Sequence, residues 1–156
     1  MPISEYDRTA PGIKALPPTH TGTIRGADKW GNGHYGVRRK KTDGTRHVHQ
    51  GTDFAINPGD EIISPISGTV IRTDVDPYGD RKFSGIIIRS DDGHEARILY
   101  VEPSVGPGAK VEAGQTIGTA QNLQSRYPGI INHVHTEIWQ GHARTGTPVD
   151  AYPGIK

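Results

Sequence analysis

Turn-forming residues cut this chain into pieces too short for most helices. Asn57-Pro58-Gly59-Asp60, Ser67-Gly68, Asp76-Pro77-Tyr78-Gly79-Asp80 and Asp91-Asp92-Gly93 each carry the residue types that close tight turns. Between them run short apolar or β-branched stretches: Glu61 to Pro65, Thr69-Val70-Ile71-Arg72, Gly85-Ile86-Ile87-Ile88-Arg89, and Glu95 to Val101. Asp91-Asp92-Gly93 joins the last two into a hairpin. Val111 to Gly118 repeats the plan of short strand, glycine turn and short strand. No segment sustains a 3.6-residue apolar period. With 21 glycines, 12 prolines and only 32% hydrophobic residues, the composition also fits many short strands rather than a helical bundle. The expected fold class is all-β, antiparallel, with little helix.

At 156 residues the chain is one domain with enough length to bury a core. Pro2, Pro11, Pro17 and Pro18 make residues 1–22 an extended arm, leaving 23–156 as the folded unit, read as a monomer. Residues 24–36 are rich in glycine and aromatics and are expected to loop across the domain. The basic run Arg38-Arg39-Lys40-Lys41 reads as a solvated hairpin end, with an anionic-surface contact as the alternative. The tail from Gly141 is expected along the surface.

A net charge of +1 argues against nucleic acid as the partner, since such binders carry a strong basic excess. The absence of cysteine removes disulfides, thiolate ligands and thiol nucleophiles, so a metal must sit on histidine and carboxylate. No apolar run approaches the roughly 20 residues of a membrane span. Met1-Pro2-Ile3-Ser4-Glu5-Tyr6 does not open a secretory signal. The expectation is synthesis in the cytoplasm, with action in the periplasm, cell wall or outside after delivery by a phage or an injection system.

Two segments carry the chemistry. Arg46-His47-Val48-His49-Gln50-Gly51-Thr52-Asp53-Phe54 holds two histidines and a carboxylate, and Asn132-His133-Val134-His135-Thr136-Glu137-Ile138 holds two more histidines. In a strand, residues i and i+2 share a face, so His133, His135 and Glu137 point the same way. Then one imidazole can meet a metal while its neighbour stands just outside. His49 and Asp53 converge only if the backbone bends between them, which Gly51 permits. His49, Asp53 and His135 are therefore read as ligands of one zinc ion, with His47 as an alternative to His49. Three N and O ligands leave tetrahedral zinc one open position, the arrangement of catalytic sites. Zinc so held lowers the pKa of its water to about 7. Glu137 is a candidate to orient a ligand histidine, and Tyr127 and Arg126 are candidates to line a groove.

In order, His49-Gln50-Gly51-Thr52-Asp53, Ser67-Gly68-Thr69-Val70, Gly114-Gln115-Thr116-Ile117-Gly118 and His133-Val134-His135-Thr136-Glu137-Ile138 resemble the signatures of the lysostaphin-type zinc metalloendopeptidases. The resemblance covers about residues 24–140. It implies a barrel-sandwich hybrid (duplicated hybrid motif) and cleavage of peptidoglycan peptides. It also implies zinc on the residues matching His49, Asp53 and His135, and a catalytic role for His133. Leu123 to Ile130, ahead of the second motif, resembles the leukocyte cell-derived chemotaxin branch, whose members keep the zinc ligands and act as signalling proteins.

One departure stands out. The active peptidases carry a further catalytic histidine in a Tyr-x-His pattern, where this chain reads Tyr100-Val101-Glu102. Glu102 is the candidate replacement, since a carboxylate beside zinc-bound water serves as a general base in other proteases. The alternative is an exposed Glu102 at a rearranged strand end before Pro103. Two functions follow: a zinc endopeptidase acting on peptidoglycan cross-links, or a non-catalytic zinc-containing module that recognises a wall fragment or protein partner. A carrier-type domain, the weaker third reading, leaves the histidines unexplained.

Overall fold

The computed structural model describes residues 15–36, 38–40, 46–48 and 50–155. They form twelve strands and no helix: β1 (Arg38–Lys40), β2 (Arg46–Val48), β3 (Thr52–Ala55), β4 (Glu61–Ile63), β5 (Gly68–Val75) and β6 (Gly85–Arg89), then β7 (His94–Leu99), β8 (Val101–Pro103), β9 (Lys110–Val111), β10 (Thr116–Ala120), β11 (His133–Gln140) and β12 (Thr147–Val149). Every pairing between them is antiparallel. The largest sheet runs β12-β11-β7-β6-β5-β9, with β3 also paired to β11. A second sheet runs β4-β10-β8, and β1 and β2 pair as a ribbon. The sheets stay open and do not close into a barrel. Among the described residues no helix is long and apolar enough to cross a membrane.

The core follows from strand alternation. On β11, Val134 and Ile138 are almost wholly buried against Phe54, Ile86, Ile88 and Ile98. Their neighbours His133, His135 and Glu137 occupy the opposite face, as the two-residue period requires. β3 does the same in miniature, with Phe54 in the apolar core and Asp53 beside β11's polar row. A smaller cluster of Phe83, Leu123 and Ile130 carries Tyr78, Tyr100 and Tyr127 on its surface.

Three local expectations change. The stretch from Glu95 to Val101 is not one strand. It breaks at Tyr100, whose φ of 76° lies in the left-handed region that side chains rarely adopt. The break lets β7 finish in the large sheet while β8 joins β10 in the small one. The part of the N-terminal arm that is described docks on the domain: Leu16 N donates to Pro65 O, Ile63 N to Pro18 O, and Tyr152 Oη to Leu16 O. The tail after Gly141 supplies β12 and buries Val149 and Tyr152, the latter ring-edge to Phe54 at 5.0 Å. Residues 24–33 do cross the domain, with Ile24 bridging to Phe54 and Asp53 N donating to Gly33 O.

Candidate metal centre

β3 and β11 bring the two sequence motifs together. Their register places Asp53 opposite His135 and Ala55 opposite His133. His135 Nδ1 lies 2.8 Å from Asp53 Oδ1, and His135 Nε2 lies 2.8 Å from Glu137 Oε2. Glu137 is itself tied down, accepting from Arg97 Nη1 at 2.9 Å and from Trp139 Nε1 at 2.8 Å. Arg97 stands directly across from Glu137 on β7, so the sheet register sets this ion pair. The result is a buried polar file running Asp53, His135, Glu137, Arg97.

The charges in this file are interdependent. Burial alone would pull His135 down, but the hydrogen bonds and charges of Asp53 and Glu137 outweigh it and raise the imidazole to about 9. Burial likewise pushes Glu137 up, and His135, then Arg97 and Trp139, reverse the effect and hold it at about 2. In His133 burial prevails and lowers the pKa, although Asp53 and the Ile131 carbonyl pull it back. His133 Nδ1 donates to Ile131 O at 2.8 Å, which leaves Nε2 as the ring's basic atom, 3.5 Å from Asp53 Oδ2. The Tyr100 ring meets that imidazole edge-on at 5.6 Å.

The bend expected between His49 and Asp53 falls on His49, outside the described residues, and Gly51 has a further role. A Cβ there would come within 2.7 Å of His135 Cε1 and of Thr136 O, and within 2.8 Å of His135 Nε2. It gives clearance: only a residue without a Cβ leaves room for the His135 imidazole there. Gly33 is equally tight, since a Cβ would lie 2.6 Å from Asp53 O and 2.8 Å from Asp53 Cβ. Glycines on both sides thus press the metal-ligand candidates together.

The residues fit a zinc ion in their chemistry. Imidazole nitrogen and carboxylate oxygen are a zinc donor set, and a carboxylate on the far nitrogen of a ligating histidine is the usual outer support. Here Glu137 occupies that outer position and presents Nδ1 of His135 towards Asp53. Among the described residues Asp53 and His135 are the ligand candidates that converge, and no group of three does. His49 lies outside the described residues, as does the side chain of His47.

Glu102 lies on β8, in the small sheet. Its side chain is exposed opposite Thr119 and makes no hydrogen bond or ion pair among the described residues. Sequence reasoning also missed Arg25. It is 1% exposed, its Nε lies 3.5 Å from Asp53 Oδ2, and it also reaches Asp28 and Asn32 O. A lone arginine in a glycine-rich loop gave no periodic signal that it would be buried. Tyr127, by contrast, does line a cavity with His133, alongside Arg25, Trp30 and Tyr100.

Residues 47–151 match Peptidase family M23. The chain is 32% identical over 115 residues to leukocyte cell-derived chemotaxin-2 of Mus musculus, covering 73% of this chain and 72% of that one. It is 30% identical over 125 residues to myeloid protein 1 of Gallus gallus, covering 75% of this chain and 35% of the other. Among solved structures, the antimicrobial peptidase lysostaphin from Staphylococcus simulans matches with a TM-score of 0.65 at 19% identity, over 92% of this chain and 58% of that one. A zinc containing peptidase from Vibrio cholerae matches with a TM-score of 0.64 at 22% identity, over 92% and 41%. These two structures share the fold with this chain, which spans less than two thirds of either. From the match over residues 47–151, carrying both histidine motifs in order on an all-β antiparallel fold, the chain belongs to Peptidase family M23.

Proposed function

We propose that this protein is a zinc endopeptidase that hydrolyses peptide bonds in bacterial peptidoglycan cross-links, with His49, Asp53 and His135 as the ligands. One observation carries the reading: Glu137, anchored by Arg97 and Trp139, fixes Nε2 of His135 so that Nδ1 faces the Asp53 carboxylate. Bound zinc supplies Lewis acidity, polarising a peptide carbonyl and acidifying water. The protein's residues do the rest. Gly51 and Glu137 hold the His135 ring in one orientation, and Asp53 Oδ1 is directed at it. His133, neutral and with its lone pair on Nε2, is positioned to accept the proton of the attacking water and return it to the leaving amine. The protein acts outside the cytoplasm, as a monomer.

The test is zinc-loaded protein on defined cross-linked muropeptides, with metal content measured in parallel. About one zinc per chain and release of un-cross-linked peptides are expected. Asp53→Ala and His135→Ala should lose both metal and hydrolysis, whereas His133→Ala should lose hydrolysis alone.

A second reading is a non-catalytic zinc module that recognises a wall fragment or a protein partner. Its support is the exposure of Glu102, which leaves His133 as the only imidazole beside Asp53 that is not itself a ligand candidate among the described residues. Full zinc occupancy without hydrolysis of any cross-linked peptide would favour it.

A further inference from the structure

Beyond His133 lies a cavity of about 130 Å³ that the metal site does not use. Ligand pockets for whole small molecules occupy roughly 300–1,000 Å³, so this space suits a single side chain. Tyr78, Tyr100 and Tyr127 form one side. Tyr78 Oη is the hub of their hydroxyls, 2.8 Å from Tyr100 Oη and accepting from Tyr127 Oη at 2.9 Å. Trp30 adjoins them, edge-on to Tyr127 at 5.0 Å and donating through Nε1 to Pro128 O. Three tyrosine hydroxyls bonded to one another and packed on Phe83, Leu123 and Ile130 make a rigid aromatic pocket.

Two cations stack on rings that line it. The Arg126 guanidinium lies 3.7 Å over the Tyr78 ring, and Lys29 Nζ lies 5.2 Å over Trp30. Arg25 reaches the cavity from within the fold, with its buried Nε ion-paired to Asp53 Oδ2. Acidic neighbours offset part of this charge. Asp80 accepts from Arg126 at 3.2 Å, and Asp28 and Asp53 each stand 3.5 Å from Arg25. Lys29 has no ion pair among the described residues.

We infer that this pocket is a specificity subsite for a carboxylate-bearing peptide side chain next to the bond presented to His133. Aromatic walls take the methylene stem, while Arg126 and Lys29 at its edge receive the carboxylate oxygens. A neutral carboxamide fits the same walls but forgoes the charge. This rests on the peptide-substrate reading, yet it concerns recognition and is testable without cleavage.

Trp30 is 40% exposed at the pocket, so its fluorescence reports occupancy. The zinc-loaded protein is titrated with acetyl-Ala-Glu-Ala-amide and with acetyl-Ala-Gln-Ala-amide. The glutamate peptide should bind about fivefold more tightly, the upper range for exposed ion pairs. Arg126→Ala or Lys29→Ala should shrink that ratio towards one, and added salt should shrink it in the parent protein. Equal binding of the two peptides, tighter binding of the glutamine peptide, or no fluorescence response to either at ten times the concentration that saturates a cross-linked muropeptide overturns the subsite. Discrimination that survives in a protein without hydrolase activity refutes the endopeptidase reading and leaves the subsite standing. Hydrolysis without discrimination does the reverse.

Discussion

Glu137 Oε2 lies 2.8 Å from His135 Nε2, and the same oxygen accepts from Arg97. The carboxylate therefore selects which nitrogen of His135 faces Asp53. It does so from within a strand pair, because Arg97 is the register partner of Glu137.

Glu137→Gln should weaken zinc binding by about 10–100-fold, as loss of an outer carboxylate does elsewhere, without removing a ligand. A competition titration against a calibrated chelator measures this. Unchanged affinity would mean His135 is oriented by Gly51 and Asp53 alone.

Gly51→Ala places a methyl where His135 Cε1 and Thr136 O leave no room. Relief requires the imidazole or β11 to move, at a cost of about 1–3 kcal/mol for overpacking. Thermal melting should show the loss in the metal-free protein, and zinc affinity should drop at least tenfold. A variant that melts and binds zinc like the parent would show that the ring is not confined there.

The metal-free protein should become less stable as pH rises. His135 Nδ1 faces Asp53 and its Nε2 faces Glu137, with His133, Arg25 and Arg97 also charged or titratable nearby. Its folded pKa is raised from 6.5 to about 9, so its stabilisation is full below 6.5 and is lost as pH passes through about 9. Zinc has the opposite dependence, since it competes with the proton for Nδ1 and gains from alkaline pH. Melting at pH 6 and pH 9.5, with chelator and with saturating zinc, should show opposite trends. A chelated protein whose stability rises over this range contradicts the assignment.

Glu102→Ala should change turnover by less than about twofold. A general acid–base residue at the site would cost about 10²–10⁴-fold. Steady-state rates on a cross-linked muropeptide distinguish the two, and a loss of the larger size would bring Glu102 back into the reaction.

Much of this molecule is local and therefore legible in the chain itself. The Asp91-Asp92-Gly93 hairpin joins β6 and β7 where its turn residues dictate. His133, His135 and Glu137 share a face because β-strand periodicity leaves no other choice. What the chain could not disclose depends on which strands become neighbours. Only the β3–β11 register brings Asp53 to His135 across 82 residues, and only the β7–β11 register gives Glu137 its arginine. Tyr100 reads as an ordinary strand residue until two sheets compete for its neighbours and force its backbone left-handed, which carries Glu102 out to the surface. Arg25 is buried because a loop with no periodicity is pinned over Asp53 by long-range backbone hydrogen bonds. Short-range steric and hydrogen-bonding preferences wrote the strands and turns, whereas charge pairing and burial between distant segments assembled the site.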